Sequence, residues 1–305
     1  MEEVITVKNL TKLYQNVSAV DHLSFSVQRG SICGFLGQNG AGKSTTIKML
    51  LGMVKPTEGS GNILGYAIDK EEDSLEIRKR VAYVAEDKRL YDYMTVGQII
   101  RFTKSFFPNW REDLEKHLLQ EFRLPIDRKI SKLSKGMRTQ TALILGVCRN
   151  AEILILDEPS EGLDPVNNEK VLKLLVTLAA EGKTVLFSSH QVYEVEQVAD
   201  TILMLHRGKR IELAPLDELK SNYKQIKLYF TFSPPRALFN LPGIKSVTQE
   251  GNWVMLLVKG PTGPIIAQIS KLQPLSLEII DLSLKDIFLE NLKAIEEDVA
   301  LQDLA

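Results

Sequence analysis

The chain has 305 residues, enough for one large α/β domain with something smaller beside it. Its 38 basic and 39 acidic residues leave a formal net charge of -1, so composition gives no chain-wide signal for nucleic acid or an anionic membrane surface. Two cysteines, Cys33 and Cys148, stand far apart among apolar neighbours and read as small buried hydrophobes in a reducing compartment rather than as a disulfide framework.

Ile5 to Val7, Leu23 to Val27 and Ser31 to Leu36 read as short strands, with Arg29-Gly30 as a turn. From Lys43 to Leu51 the spacing of Ile47, Leu50 and Leu51 predicts a helix. Between the last strand and this helix lies Gly37-Gln38-Asn39-Gly40-Ala41-Gly42-Lys43-Ser44, followed by Thr45. The pattern Gly-x4-Gly-Lys-Ser is that of a phosphate-binding loop. Glycines let the backbone curl so that successive N–H groups face one anion, and the helix that follows adds its positive end. Lys43 supplies a mobile charge for the β- and γ-phosphates of a nucleotide, and Ser44 a hydroxyl for Mg2+. A chance glycine loop would not need to sit between a strand and a helix; this one does.

The middle, about residues 89–149, reads as helical. One helix starts at Thr95-Val96, another spans Arg111 to Phe122, and Ser134 caps a third that runs to Cys148. Ile153 to Leu156 is a continuous apolar run, as in a buried parallel strand, and it ends in Asp157-Glu158. Ligands gather at the carboxyl ends of such strands. There Asp157 is placed to hold Mg2+ and Glu158 to orient or deprotonate an attacking water. Asp164-Pro165 starts a further helix, with an Asp cap and Pro in the first turn. Lys183 to Ser188 reads as a strand just before His190, and Ile202 to Leu205 and Arg210 to Leu213 flank a turn at Arg207-Gly208-Lys209.

After about Lys220 the pattern changes. Ile226 to Phe232 and Val254 to Val258 alternate as half-buried strands, Pro-rich loops intervene, and a final helix starts at the capping box Ser283 to Asp286. This reads as a small α+β appendage, with the acidic run Glu296-Glu297-Asp298 as a solvated tail. No apolar stretch approaches the ~20 residues needed to cross a bilayer. The acidic start Met1-Glu2-Glu3 and the short apolar Val4 to Val7 do not make a leader segment. A membrane role therefore calls for a partner chain.

Taken in order, these motifs resemble the ATP-binding subunits of ATP-binding-cassette (ABC) transporters over about Ile5 to Leu219. Tyr14 looks like the aromatic that stacks on adenine, and Glu86 holds the Q-loop position. Leu133-Ser134-Lys135-Gly136-Met137 falls at the family signature, Ser160 to Asp164 at the D-loop, and His190 at the switch histidine. The resemblance implies an α/β P-loop NTPase fold of ABC type, with an antiparallel β subdomain and a helical subdomain. It places the ATPase domain at residues 1–220, the helical part at about 89–149 and the accessory domain at 221–305.

It also implies ATP and Mg2+ as cofactors. Tyr14, the loop from Gly37 to Thr45, Ser134, Gly136 and Asp164 would bind nucleotide. Ser44, Glu86 and Asp157 would hold the metal, and Lys43, Glu158 and His190 would act in hydrolysis. The implied partners are an integral-membrane permease on separate chains and a second ATPase subunit, identical or different, with no nucleic acid. The chain would then lie in the cytoplasm, on the inner face of the membrane through its permease. Glu86, Lys135 and Met137 replace the usual glutamine, glycine and glutamine, as in the branch resembling drug and antibiotic-peptide exporters. Two other readings are a soluble ATPase of this superfamily acting on nucleic acid or ribosomes, and a nucleotide-binding regulator without useful hydrolysis. The first would need coiled-coil insertions or a second cassette, and the second is at odds with intact Lys43, Asp157, Glu158 and His190.

Overall fold

A computed structural model describes residues 2–234 and 242–302. In chain order it contains β1 (Glu3–Tyr14), β2 (Val17–Gln28), β3 (Ile32–Leu36), α1 (Lys43–Leu50), β4 (Glu58–Ile63), β5 (Tyr66–Ala67), α2 (Glu71–Arg80) and β6 (Val81–Val84). Then follow α3 (Val96–Lys104), α4 (Glu112–Glu121), a 3-10 turn (Ile130–Lys132), α5 (Lys135–Val147), β7 (Ile153–Asp157), α6 (Pro165–Ala180), β8 (Thr184–Ser189) and α7 (Val192–Val198). The remainder is β9 (Thr201–His206), β10 (Lys209–Pro215), α8 (Leu216–Asn222), β11 (Tyr223–Tyr229), β12 (Ile244–Glu250), β13 (Trp253–Lys259), α9 (Thr262–Ser270), β14 (Ser276–Asp281) and α10 (Leu284–Gln302). The chain divides into two compact units, Met1–Leu213 and Ala214–Ala305. Helix α8 packs on β11, so the expected boundary at Lys220 falls inside that helix.

Two sheets build the first unit. One has the order β2-β1-β4-β5, and its strands pair antiparallel. The other has the order β10-β9-β3-β8-β7-β6, in which β6, β7, β8, β3 and β9 run parallel. β3, β7 and β8 are buried along their whole lengths, which explains why they read as unbroken apolar runs. One core joins the two sheets around α1. It includes Ile5, Leu10, Phe25, Phe35, Ile47, Leu50, Ile155 and Leu203, with Phe25 set edge-on to Phe35 at 5.1 Å.

β1 is much longer than the three-residue strand that the alternation predicts. It gains its length by pairing with β2 on one side and β4 on the other, with irregular register at several points. The middle segment is helical as expected. Thr95 starts α3 with a full capping box to Gln98, and Ser134 accepts from the Met137 N–H at the start of α5.

The second unit is a four-stranded antiparallel sheet in the order β12-β13-β11-β14. Ile226, Leu228, Val254, Leu256 and Val258 pack with Ile265 and Ile269 of α9. Ser283 and Asp286 form the expected box at the start of α10. The backbone of Glu296 to Asp298 belongs to α10, while their side chains lie outside the described set.

Candidate nucleotide-binding site

Because β6, β7, β8 and β3 run parallel, the segments that leave them emerge at one edge of the sheet. These are the phosphate loop after β3, Asp157-Glu158 at the end of β7, His190 after β8 and Glu86 after β6. Sheet topology, rather than sequence proximity, assembles the site.

The phosphate loop turns on Gly40 and Gly42, both with positive φ (80° and 101°). A Cβ at Gly42 would lie 2.6 Å from the carbonyl oxygen of Ala19, so strand β2 presses on the loop backbone to backbone. Helix α1 starts at Lys43, and no side chain caps its first N–H groups. They are the donors that an anion would satisfy. Lys43 is 5% exposed and donates from Nζ to the carbonyl of Gly37 at 2.6 Å. The same Nζ lies 3.4 Å from Glu158 Oε1.

Asp157 and Glu158 occupy different environments. Asp157 Oδ1 accepts from Ser44 Oγ at 3.2 Å and from Ser188 Oγ at 2.5 Å. Ser188 stands opposite it in the β7–β8 register. Its Oγ also accepts from the Glu158 N–H at 3.1 Å. Glu158 has a left-handed backbone, φ 49°, which is strained for a residue with a Cβ and turns its side chain away from the sheet toward the loop. Burial pushes its carboxyl above the usual glutamate range, opposed by Lys43 and His190. His190 Nδ1 sits 2.9 Å from Glu158 Oε2.

A cleft of about 670 Å³ runs along these groups. It is lined by Tyr14, Val17, Ser18 and Ala19 at one end, by Gln38 through Thr45 along its floor, and by Glu86, Glu158 and Arg207. Tyr14 is 46% exposed, with Lys12 Nζ 5.1 Å from its ring centroid. A flat aromatic and a phosphate cradle line one cleft, as suits a nucleotide. Ser44, Asp157 and Glu86 supply a hydroxyl and carboxylates of the kind Mg2+ takes alongside phosphates and water. Among the described residues no cluster of three or more His, Cys, Asp or Glu forms a self-contained metal cage.

Ser134, Gly136 and Asp164 do not line this cleft. Ser134 caps α5, Asp164 caps α6 through the Asn167 N–H, and a Cβ at Gly136 would lie 2.8 Å from the carbonyl of Gly162. Gly136 therefore packs against the segment that ends in Asp164, and Ser134 lies just before it at the start of α5. Lys135 is tied to the same segment by an ion pair with Glu161 at 2.5 Å. Sequence reasoning missed Ser188 and Lys88 as residues of this site. Lys88 Nζ donates to the main-chain carbonyl of Glu158 at 2.9 Å. For Ser188 the available signal was its place at the end of a strand two residues before His190.

A glycine-lined phosphate loop, an adjacent carboxylate pair at the end of a parallel sheet and a histidine reaching it from the next strand define a nucleotide-hydrolysing cassette. Comparison with known proteins gives this class its family. The ABC transporter family model matches residues 20–161. The bacitracin transport ATP-binding protein BcrA of Bacillus licheniformis is 35% identical over 228 residues, 74% of each chain. The uncharacterized ABC transporter ATP-binding protein YhaQ of Bacillus subtilis is 30% identical over 304 residues, or 96% of this chain and 100% of that one. A solved ATP-binding subunit of an ABC transporter matches with a TM-score of 0.65 and 29% identity, over 72% of this chain and 92% of that chain. The chain belongs to the ABC transporter ATP-binding proteins. It binds and hydrolyses ATP to power a membrane transporter. Among the described residues no helix is long and apolar enough to cross a membrane.

Proposed function

We propose that ATP lies along the cleft with its base on Tyr14 and its β- and γ-phosphates against Lys43 and the N–H groups of the loop from Gly37 to Thr45. The observation that carries this reading is the convergence of Lys43, Glu158 and His190 beneath one cleft. Ser44 and Asp157, with Glu86 at the margin, would hold Mg2+, which supplies charge neutralisation of the phosphates. Glu158 orients the attacking water and accepts its proton, and its raised affinity for a proton suits that task. His190 keeps the Glu158 carboxylate aimed at the loop and reaches toward the terminal phosphate.

One chain carries one copy of each motif, and Ser134, Gly136 and Asp164 stand away from its own phosphate loop. They act across a head-to-tail dimer, closing on the nucleotide held by a second ATPase subunit. Closure is passed to a permease on separate chains through the segment around Lys88 to Met94, where Tyr91 and Tyr93 are exposed. The chain then sits at the cytoplasmic face of the membrane without entering it. Export is the direction proposed, because Glu86, Lys135 and Met137 match the branch resembling drug and antibiotic-peptide exporters.

The test is self-association with Mg-ATP. E158Q is expected to form a stable dimer in the presence of the permease, and K43A to lose both nucleotide binding and dimer. A monomeric E158Q at saturating Mg-ATP, with or without permease, overturns the closure mechanism. Turnover that survives K43A overturns the site assignment.

A further inference from the structure

We propose that Lys88 is a positioning residue for hydrolysis, its ammonium gripping the main-chain carbonyl of Glu158 and so tying the loop that carries Glu86 to the end of β7. This rests on the assignment of Glu158 as the residue that activates water. Val84 pairs with Leu156 in the β6–β7 register, so the loop leaving β6 passes beside the last residues of β7. From that loop the half-buried Lys88 reaches back to the Glu158 oxygen at 2.9 Å.

Three features make this contact more than a surface lysine at rest. First, β7 ends at Asp157, so the Glu158 carbonyl has no strand partner. It accepts instead from Lys88 Nζ and from the Glu161 N–H at 3.2 Å. Those two donors fix the peptide plane that follows Glu158. Second, the Glu158 backbone is left-handed. A conformation this sparsely populated persists only when its surroundings hold it. The Ser188 oxygens hold the N–H side of the residue, and Lys88 and Glu161 hold the carbonyl side. Third, Lys88 faces Glu86, Asp157, Glu158 and Glu161. Glu86 adds a negative charge that a glutamine would not bring, and the Lys88 ammonium offsets it next to the phosphates.

The consequence is mechanical. A displacement of the 85–90 segment moves a donor that sits on the peptide of the hydrolytic carboxylate. The permease-facing segment then bears directly on where the Glu158 carboxylate points. The side chain of Lys88 need not touch nucleotide, so the contact acts on rate rather than on binding.

The experiment compares K88M, K88Q and K88R with wild type, each in complex with the permease. Steady-state turnover gives kcat and KM for ATP, and a fluorescent ATP analogue gives Kd. K88M and K88Q are expected to lower kcat about tenfold or more while KM and Kd stay within about twofold. K88R, which keeps a charged donor, is expected to recover part of the rate. Adding K88M to E158Q is expected to cost little beyond E158Q alone, since both act through one group. Unchanged kcat in both K88M and K88Q overturns the proposal, as does a raised KM at constant kcat or a full additional loss in the double variant. K43A and E158Q serve as references. Insensitivity of turnover to these two strikes the site assignment itself, whereas their loss of turnover beside silent Lys88 variants strikes this proposal alone. Retained analogue binding and an unchanged melting curve show that each variant has folded.

Discussion

Replacing Glu158 by Gln should separate binding from chemistry in opposite directions. In the structure the Lys43 ammonium lies 3.4 Å from Glu158 Oε1, and the two side chains are 5% and 7% exposed. On the proposed placement of ATP, its phosphates would compete with this carboxylate for the same ammonium. Coulomb attraction at that distance and an effective dielectric of about 20 is roughly 5 kcal/mol. Desolvation of two buried charges offsets most of it, leaving on the order of 1–2 kcal/mol that nucleotide must displace. Glutamine keeps the shape and removes the competing charge. E158Q should therefore bind ATP about tenfold more tightly, at 1.4 kcal/mol per decade. Turnover should fall by about 10²–10⁴-fold, the usual contribution of a positioned base. Equilibrium titration with ATP gives the first quantity and phosphate release gives the second, on one preparation. ATP affinity weakened or unchanged would refute the view that Lys43 is shared between Glu158 and phosphate. Turnover near the wild-type value would refute the role of Glu158.

Other expectations follow from the same structure. Burial pushes the thiols of both Cys33 and Cys148 up to about 12, since it disfavours the charged thiolate. Thiolate forms only as pH rises toward that value, so neither should react with a soluble disulfide reagent between pH 7 and about 9 unless the protein is unfolded. T95A removes the hydroxyl that accepts from the Gln98 N–H at the start of α3, and should lower stability by about 1 kcal/mol in denaturant titration. An unchanged midpoint would show that this cap is dispensable. G136A puts a methyl 2.8 Å from the Gly162 carbonyl and should push the start of α5 away from the 160–164 segment. Turnover should fall while binding of a nucleotide analogue persists; a matching loss of both would place Gly136 in the chain's own cleft.

The parts of the site that could be read in the sequence are those whose spacing is fixed by local geometry. Gly37 through Gly42 had to form a loop because a strand precedes it and a helix begins at Lys43, and that local context indicates its chemistry. Asp157-Glu158 stood out because an unbroken apolar strand ends there. Ser188 and Lys88 did not stand out, because their roles depend on which strands become neighbours. Ser188 meets Asp157 only through the β7–β8 register, and Lys88 meets Glu158 only because β6 lies beside β7. Strand β4 was hidden for a different reason. Its sequence, Glu-Gly-Ser-Gly-Asn-Ile, lacks alternation, and it is a strand because β1 supplies its partner. At Gly59, φ is 82° and a Cβ would meet the Asn9 carbonyl at 2.2 Å, so the close passage of two backbones selects glycine there. Likewise Ser134 and Asp164 were legible as helix starts, while the packing of Gly136 on the 160–164 segment needed the folded chain.

The seat of the phosphate loop against β2 has a consequence for how firmly the loop is held. Gly42 abuts Ala19, and Gly208 abuts the same residue, with its N–H on the Ala41 carbonyl and its carbonyl on the Asp21 N–H. The turn after β9 thereby clamps strand and loop into a single rigid piece. Lys43 follows directly on Gly42, so the start of α1 is held against β2 through the backbone itself. The cradle is thus braced before any ligand arrives, much as a vice is bolted to its bench before the work is set in it.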